Sequence, residues 1–165
     1  KIETICRNLP VPVIVKEVGW GISGVTARHL ADAGVAAIDV AGAGGTSWSQ
    51  VEMHRMKDLR RAAIAAAFRD WGIPTAESIK LVRAAVPNLP IIASGGLRNG
   101  VEIAKTIALG ASLAGMAGPF LKAAARSQEE TVALVEDVIT ELRIAMFAAG
   151  APDLIRLVQL SLVEY

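Results

Sequence analysis

The sequence predicts an α/β fold built on a parallel sheet, and three observations carry that prediction. Short apolar runs alternate with helical patterns along the chain, the alternation that builds parallel strands joined by right-handed crossovers. Hydrophobic residues make up 53% of the 165 residues and aromatics only 4%, a composition suited to strands buried on both faces. Two of the apolar runs end in glycine loops that open into helices, Ser94-Gly95-Gly96-Leu97-Arg98 and Gly115-Met116-Ala117-Gly118-Pro119.

The elements follow in order. Residues 11–18 read as a strand, with Pro12 near its start. Ser23 is placed to cap a helix over about 25–33, which Gly34 stops. Residues 36–40 form the next strand, and residues 41–48 a flexible glycine loop. A longer connection covers 49–71, helical from about Leu59 to Trp71, with Lys57, Arg60 and Arg61 on a solvated face. Gly72-Ile-Pro-Thr75 breaks the chain before a helix over about 76–86. A strand over 89–93 leads through the first glycine loop to a helix that begins at Asn99 or Gly100 and ends near Gly110. The last strand covers 112–117. Helical patterns follow at about 120–125 and 129–148, ended by Gly150 and blocked by Pro152. A final apolar helical stretch runs from about Asp153 to Leu160. Four strands amount to half of a (β/α)8 barrel or to a small open sheet.

Net charge is +1, so no nucleic-acid or membrane-surface footprint is visible. The single Cys6 excludes an internal disulfide framework and a cysteine zinc cluster, as in a reducing cytoplasm. No apolar run reaches the length of a membrane span. The chain begins at Lys1 with no signal-peptide pattern, and reads as one whose N-terminal part is missing.

The two glycine loops are the chemical centre of the sequence. Backbone N–H groups of consecutive strand–loop–helix units can converge on one phosphate, and the loops after strands 7 and 8 of a (β/α)8 barrel do so. Arg98 is placed to clamp such a phosphate or to pair on the surface. Lys16, at the end of an apolar strand, reads as an anion-contacting residue, with Asp39 as the alternative partner. Lys16 and Glu17 point to opposite faces of the strand and do not pair. Asp39 orients Lys16 or accepts N–H bonds from the glycine loop. Gly42, Gly44 and Gly45 permit close approach of a ligand, Thr46 and Ser47 add hydroxyls, and Trp48 can stack on a ring or wall a pocket. Gly19-Trp-Gly-Ile-Ser-Gly24 matches the dinucleotide-binding G-x-G-x-x-G pattern by letter. Lys16 and Glu17 break its strand, Trp20 is bulky between its glycines, and Asp39 comes early, so the match is set aside. His29 and His54 have no partner at ligand spacing, and no metal site is assigned.

Val11-Pro-Val-Ile-Val-Lys-Glu-Val-Gly19, Asp39-Val-Ala-Gly-Ala-Gly-Gly-Thr-Ser-Trp48, Trp71-Gly-Ile-Pro-Thr75 and Ser94-Gly-Gly96 closely resemble the type 2, flavin-dependent isopentenyl-diphosphate isomerases, to about residue 150. The resemblance implies a (β/α)8 TIM barrel binding FMN, of which residues 1–150 supply strands 5–8 and residues 151–165 a helical tail. It implies Lys16 near N1 and O2 of the flavin, a hydrogen bond from Thr46, and Gly95, Gly96, Arg98, Ala117 and Gly118 around the phosphate, with Trp48 walling the five-carbon pocket. The family converts isopentenyl diphosphate to dimethylallyl diphosphate without net oxidation. It uses reduced FMN, NAD(P)H as reductant, and Mg2+ on the diphosphate. Its Mg2+ carboxylate, its diphosphate-binding basic residues and a His-Leu-Asn stretch belong to an N-terminal half absent from this sequence. The implied partner is the small-molecule substrate, in a cytoplasmic homo-oligomer with neither nucleic acid nor membrane bound.

Two other readings compete. One is an FMN barrel oxidoreductase of the 2-hydroxy-acid or glutamate-synthase type. The His-Gly-Gly-Arg motif of flavin barrels that oxidise 2-hydroxy acids is absent from the corresponding region here. The other is an inactive half-barrel that binds phosphate or FMN.

Overall fold

The computed structural model describes residues 1–163 and holds a four-stranded, wholly parallel sheet in the order β1-β2-β3-β4. The strands are β1 Ile14–Lys16, β2 Ala37–Asp39, β3 Ile91–Ala93 and β4 Leu113–Ala114. Ile14 pairs with Ala37, Lys16 with Asp39, Asp39 with Ile92, and Ile92 with Leu113. The strands are shorter than the apolar runs that announce them. The chain leaves the ladder where a loop claims its N–H groups, as it does directly after Glu17.

Helices α2 Gly24–Asp32, α5 Thr75–Ala85 and α6 Gly100–Ala108 connect successive strands. Ser23 caps α2 by accepting the Thr26 N–H, and Asn99 caps α6 by accepting that of Glu102; each satisfies a donor the helix leaves open. Their apolar faces pack on one side of the sheet: Ala27, Leu30, Ile79, Val82, Ala104 and Ile107 join Ile38, Val40, Ile91 and Ala93 in the core. Side chains alternate along a strand, so Ile14, Lys16, Asp39, Ile92 and Leu113 share the other side. Among the described residues no helix covers that side. Ile14 is 54% exposed and Leu113 61%.

Helices α7 Gly118–Ala124, α8 Gln128–Ala148 and α9 Leu154–Val158 follow the sheet. The N-terminus of α6 is pressed against α8: the Gly100 N–H donates to Glu141 Oε2 at 2.7 Å. A Cβ on Gly100 would collide with the Val138 carbonyl. Arg83 stitches the opposite end of the sheet, donating to the carbonyls of Gly110, Pro87 and Leu89. Burial lowers its guanidinium from the ordinary arginine value.

Two helices are not legible in the sequence. Ile2–Asn8 forms α1, whose Cys6 packs against the core. The connection over 49–71 folds as a pair, α3 Trp48–Arg55 and α4 Leu59–Ala66, rather than as one helix from 59 to 71. Asp58 caps α4, accepting from the N–H groups of Arg60 and Arg61, and so divides the segment. Lys57, Arg60 and Arg61 are exposed, as expected of a solvated face. The expected helical tail over 151–165 contains α9; residues 164–165 lie outside the described residues. No helix among the described residues is long and apolar enough to cross a membrane.

Candidate active site at the carboxyl ends of the strands

Lys16 ends β1, Asp39 ends β2 in register with it, and Ser94 follows β3 on the same face. The Lys16 ammonium lies 3.0 Å from Asp39 Oδ2 and donates to Ser94 Oγ at 3.2 Å. Ser94 in turn donates to Asp39 Oδ1 at 2.6 Å, and the Ala41 N–H donates to the same oxygen at 3.1 Å. Asp39 is thus buried with its charge answered by one cation and two hydrogen bonds, the condition under which a carboxylate is tolerated inside. Lys16 keeps 56% of its side chain exposed. One of the three donors of its ammonium therefore remains for a group arriving on the uncovered face.

Glu17 points the other way. Its Oε2 accepts the N–H groups of Val18, Gly19 and Trp20. The loop it shapes presents the Val18 carbonyl to Nε1 of Trp48 at 2.8 Å.

The glycine loops pack on each other rather than standing free. The Gly42 N–H donates to the Ser94 carbonyl, and the Thr75 hydroxyl donates to that of Gly95. Gly95 and Gly96 have φ of +108° and +82°, and a Cβ on either would collide with the backbone of Gly42 or Gly44. The loop over 41–48 is therefore held by its neighbours, and its glycines are needed whether or not a ligand binds. The same holds for the G-x-G-x-x-G match: a Cβ on Gly19 would overlap the Thr46 carbonyl, and one on Gly21 the Ile73 carbonyl.

Gly118 differs, because a Cβ there would meet nothing within 4 Å. The N–H groups of Gly96, Leu97, Met116, Ala117 and Gly118 find no acceptor among the described residues. Donors on two adjacent loops, with a glycine that no neighbour requires, fit the phosphate of a flavin nucleotide. A half-exposed ammonium at the end of β1 fits the anionic edge of its ring. Thr46 is exposed, and its hydroxyl has no partner among the described residues. Arg98 pairs with Glu102 at 3.0 Å, its side chain 77% exposed. His29 lies on α2 and His54 on α3, both exposed. Among the described residues no three His, Cys, Asp or Glu side chains gather as a metal site.

Two concavities of about 440 and 340 Å³ lie in the helical layer, the first beside Arg28 and Leu81, the second beside Lys105 and Leu162. Neither includes Lys16, Thr46 or Gly118. The candidate site is an open surface at the strand ends.

The model of the family described as FMN-dependent dehydrogenase matches residues 1–164. An isopentenyl-diphosphate delta-isomerase of Stutzerimonas stutzeri is 57% identical over 163 residues, covering 99% of this chain and 47% of that protein. One from a Nostoc species is 53% identical over 154 residues, 93% of this chain and 44% of that protein. The chain thus spans about half the length of the curated relatives it matches. Among solved structures, mandelate oxidase aligns with a TM-score of 0.74 at 26% identity, covering 97% of this chain and 40% of that one.

Proposed function

The chain belongs to the FMN-dependent dehydrogenase family, and from that premise we propose that it is the C-terminal half of an FMN-dependent isopentenyl-diphosphate isomerase. The observation that carries the reading is the identity of 57% across 99% of the chain to an isopentenyl-diphosphate delta-isomerase, joined to an ammonium held at the end of β1. Residues 1–150 supply strands 5–8 of a (β/α)8 barrel and residues 151–165 its tail. The sequential parallel order and the uncovered side bearing Ile14, Ile92 and Leu113 support that assignment, since a barrel's inner face is closed by its remaining strands.

Lys16 holds the ring near N1 and O2, and Asp39 with Ser94 keeps its ammonium there. Thr46 donates to the cofactor. Gly95 shapes the turn from which the N–H groups of Gly96, Ala117 and Gly118 bind the phosphate, and Arg98 leaves Glu102 to join them. Trp48 walls the apolar pocket and excludes water from the five-carbon chain. Bound and reduced, FMN supplies a group that exchanges protons with the allylic carbons of the substrate. NAD(P)H supplies the electrons, and Mg2+ binds the diphosphate through residues outside this chain. The enzyme works as a cytoplasmic homo-oligomer.

The test is the whole protein loaded with FMN, reduced, and given isopentenyl diphosphate with Mg2+. Proton NMR should show dimethylallyl diphosphate accumulating with no stoichiometric consumption of reductant. Peroxide formation from a 2-hydroxy acid such as mandelate, with no isomerisation, would replace this reading by an oxidase. FMN binding without turnover of either would leave a binding module.

A further inference from the structure

We infer that Glu17 is a positioning residue: its carboxylate folds the loop after β1 so that the Val18 carbonyl fixes the indole of Trp48. Oε2 of Glu17 accepts three successive N–H groups, those of Val18 at 2.6 Å, Gly19 at 2.9 Å and Trp20 at 2.7 Å. Consecutive N–H groups converging on one oxygen curl the backbone into a concave nest, and a charged acceptor makes each bond stronger than a neutral one would. The curl has one outward product, the Val18 carbonyl, which accepts the Trp48 indole N–H at 2.8 Å. The backbone on both sides is anchored independently. The Glu17 N–H donates to the Asp39 carbonyl at 3.0 Å, and the Trp20 carbonyl accepts the Ile73 N–H at 2.8 Å. Between those anchors the side chain of Glu17 accepts every hydrogen bond that the N–H groups of Val18, Gly19 and Trp20 make among the described residues.

Trp48 needs such a fix. It is the first residue of α3, the residue is 45% exposed, and Ser47 ahead of it makes no capping bond to the helix. Its contact with the Val18 carbonyl is the one hydrogen bond its indole makes. Glu17 directly follows β1 and its carboxylate is taken up by the N–H groups of the loop, so it acts on the wall of the site and not on the ammonium. What the wall does rests on the isomerase reading; the coupling of Glu17 to Trp48 does not.

The experiment uses the whole protein labelled with 15N-tryptophan, the Trp48 indole signal being assigned by its loss in Trp48→Phe. Glu17→Ala should shift the Trp48 Nε1–H signal and speed its exchange with water about tenfold or more, as expected when one hydrogen bond is lost. Glu17→Gln, which keeps a neutral acceptor, should fall between Ala and wild type, and it carries the same test if Glu17→Ala fails to fold. Ser78→Ala serves as the control. It removes the two bonds that tie the loop at Ile22 to α5 without touching Val18, and should leave the indole signal in place. An unchanged Trp48 signal in the folded Glu17 variants, or an equal shift in Ser78→Ala, overturns the proposal. Where isomerase turnover is present, Glu17→Ala and Trp48→Phe should each raise KM, and the double variant should be no worse than Trp48→Phe alone. Additive effects overturn the coupling. A protein without turnover removes the isomerase reading and leaves the indole signal to decide.

Discussion

Lys16 and Asp39 face each other in register across β1 and β2, with Nζ 3.0 Å from Oδ2, on the side of the sheet away from α2, α5 and α6. The aspartate is the buried member, and the lysine is the one that reaches solvent. Removing either therefore has unequal consequences.

Asp39→Asn keeps an acceptor for Ser94 and Ala41 but loses the charge, and should cost about 1 kcal/mol. Asp39→Ala leaves the Ser94 hydroxyl and the Ala41 N–H without their acceptor and should cost about 2–3 kcal/mol. Urea midpoints of the whole protein with FMN removed give the ordering, and equal losses would mean that the two hydrogen bonds contribute nothing.

Lys16→Met should leave the protein folded at a cost of about 1–3 kcal/mol, because Lys16 is more than half exposed but the Asp39 carboxylate it answers is buried. FMN affinity should nevertheless fall by about tenfold or more, the loss of a charge-assisted contact. Flavin fluorescence titration measures it. Unchanged affinity would remove Lys16 from the cofactor.

Gly118→Ala and Gly96→Ala separate ligand approach from packing. Gly118 has open space for a methyl group, so its replacement should leave stability within about 0.5 kcal/mol while weakening FMN binding. At Gly96 the new Cβ meets the Gly44 backbone and φ is +82°, so the loss should be at least about 2 kcal/mol with or without cofactor. Thermal melts of both variants, with and without FMN, show whether the pattern holds.

Arg83 should act on stability alone. Its guanidinium serves three carbonyls at the end of the sheet away from the site. Arg83→Ala should cost about 2–3 kcal/mol, and lysine should not restore it, because one ammonium cannot reproduce the planar fork. FMN affinity is the control and should not move.

Residues 1–165 expressed by themselves should self-associate through the uncovered side of the sheet, since exposed apolar faces and open strand edges invite pairing. Ile14→Ser with Leu113→Ser should reduce that association in sedimentation velocity. In the whole protein the same pair should instead lower stability, by about 2 kcal/mol or more per buried side chain. A monodisperse wild-type chain would argue that this side needs no partner.

The helix boundaries marked by Ser23, Asn99 and Gly34 are legible in the sequence because capping and turn chemistry act within a few residues. So is the alternation of strand and helix, which apolar runs announce directly. Helix α3 is not legible: its residues are mostly polar, and it is held by contacts with the segment after α4, such as Ser49 to the Phe68 carbonyl. The site divides in the same way. Lys16 stands out as a charge in an apolar strand, and the glycine loops stand out by composition. Ser94 could have been found by counting two residues on from Ile92 along the same face. Glu17 gives no signal by itself, since its role depends on three N–H groups turning toward it.

By itself, then, the sequence determined an α/β chain with parallel strands, an ammonium at one strand end and glycine loops beside it, because periodicity, capping and composition are local properties. Only the tertiary structure decided that Lys16 meets Asp39 and Ser94, and that Gly95 and Gly96 lie against Gly42 and Gly44 where no Cβ fits. It also left Gly118, at the second glycine loop, with open space where a Cβ would stand. Those are contacts between segments up to 78 residues apart, and no local rule places two distant backbones at touching distance.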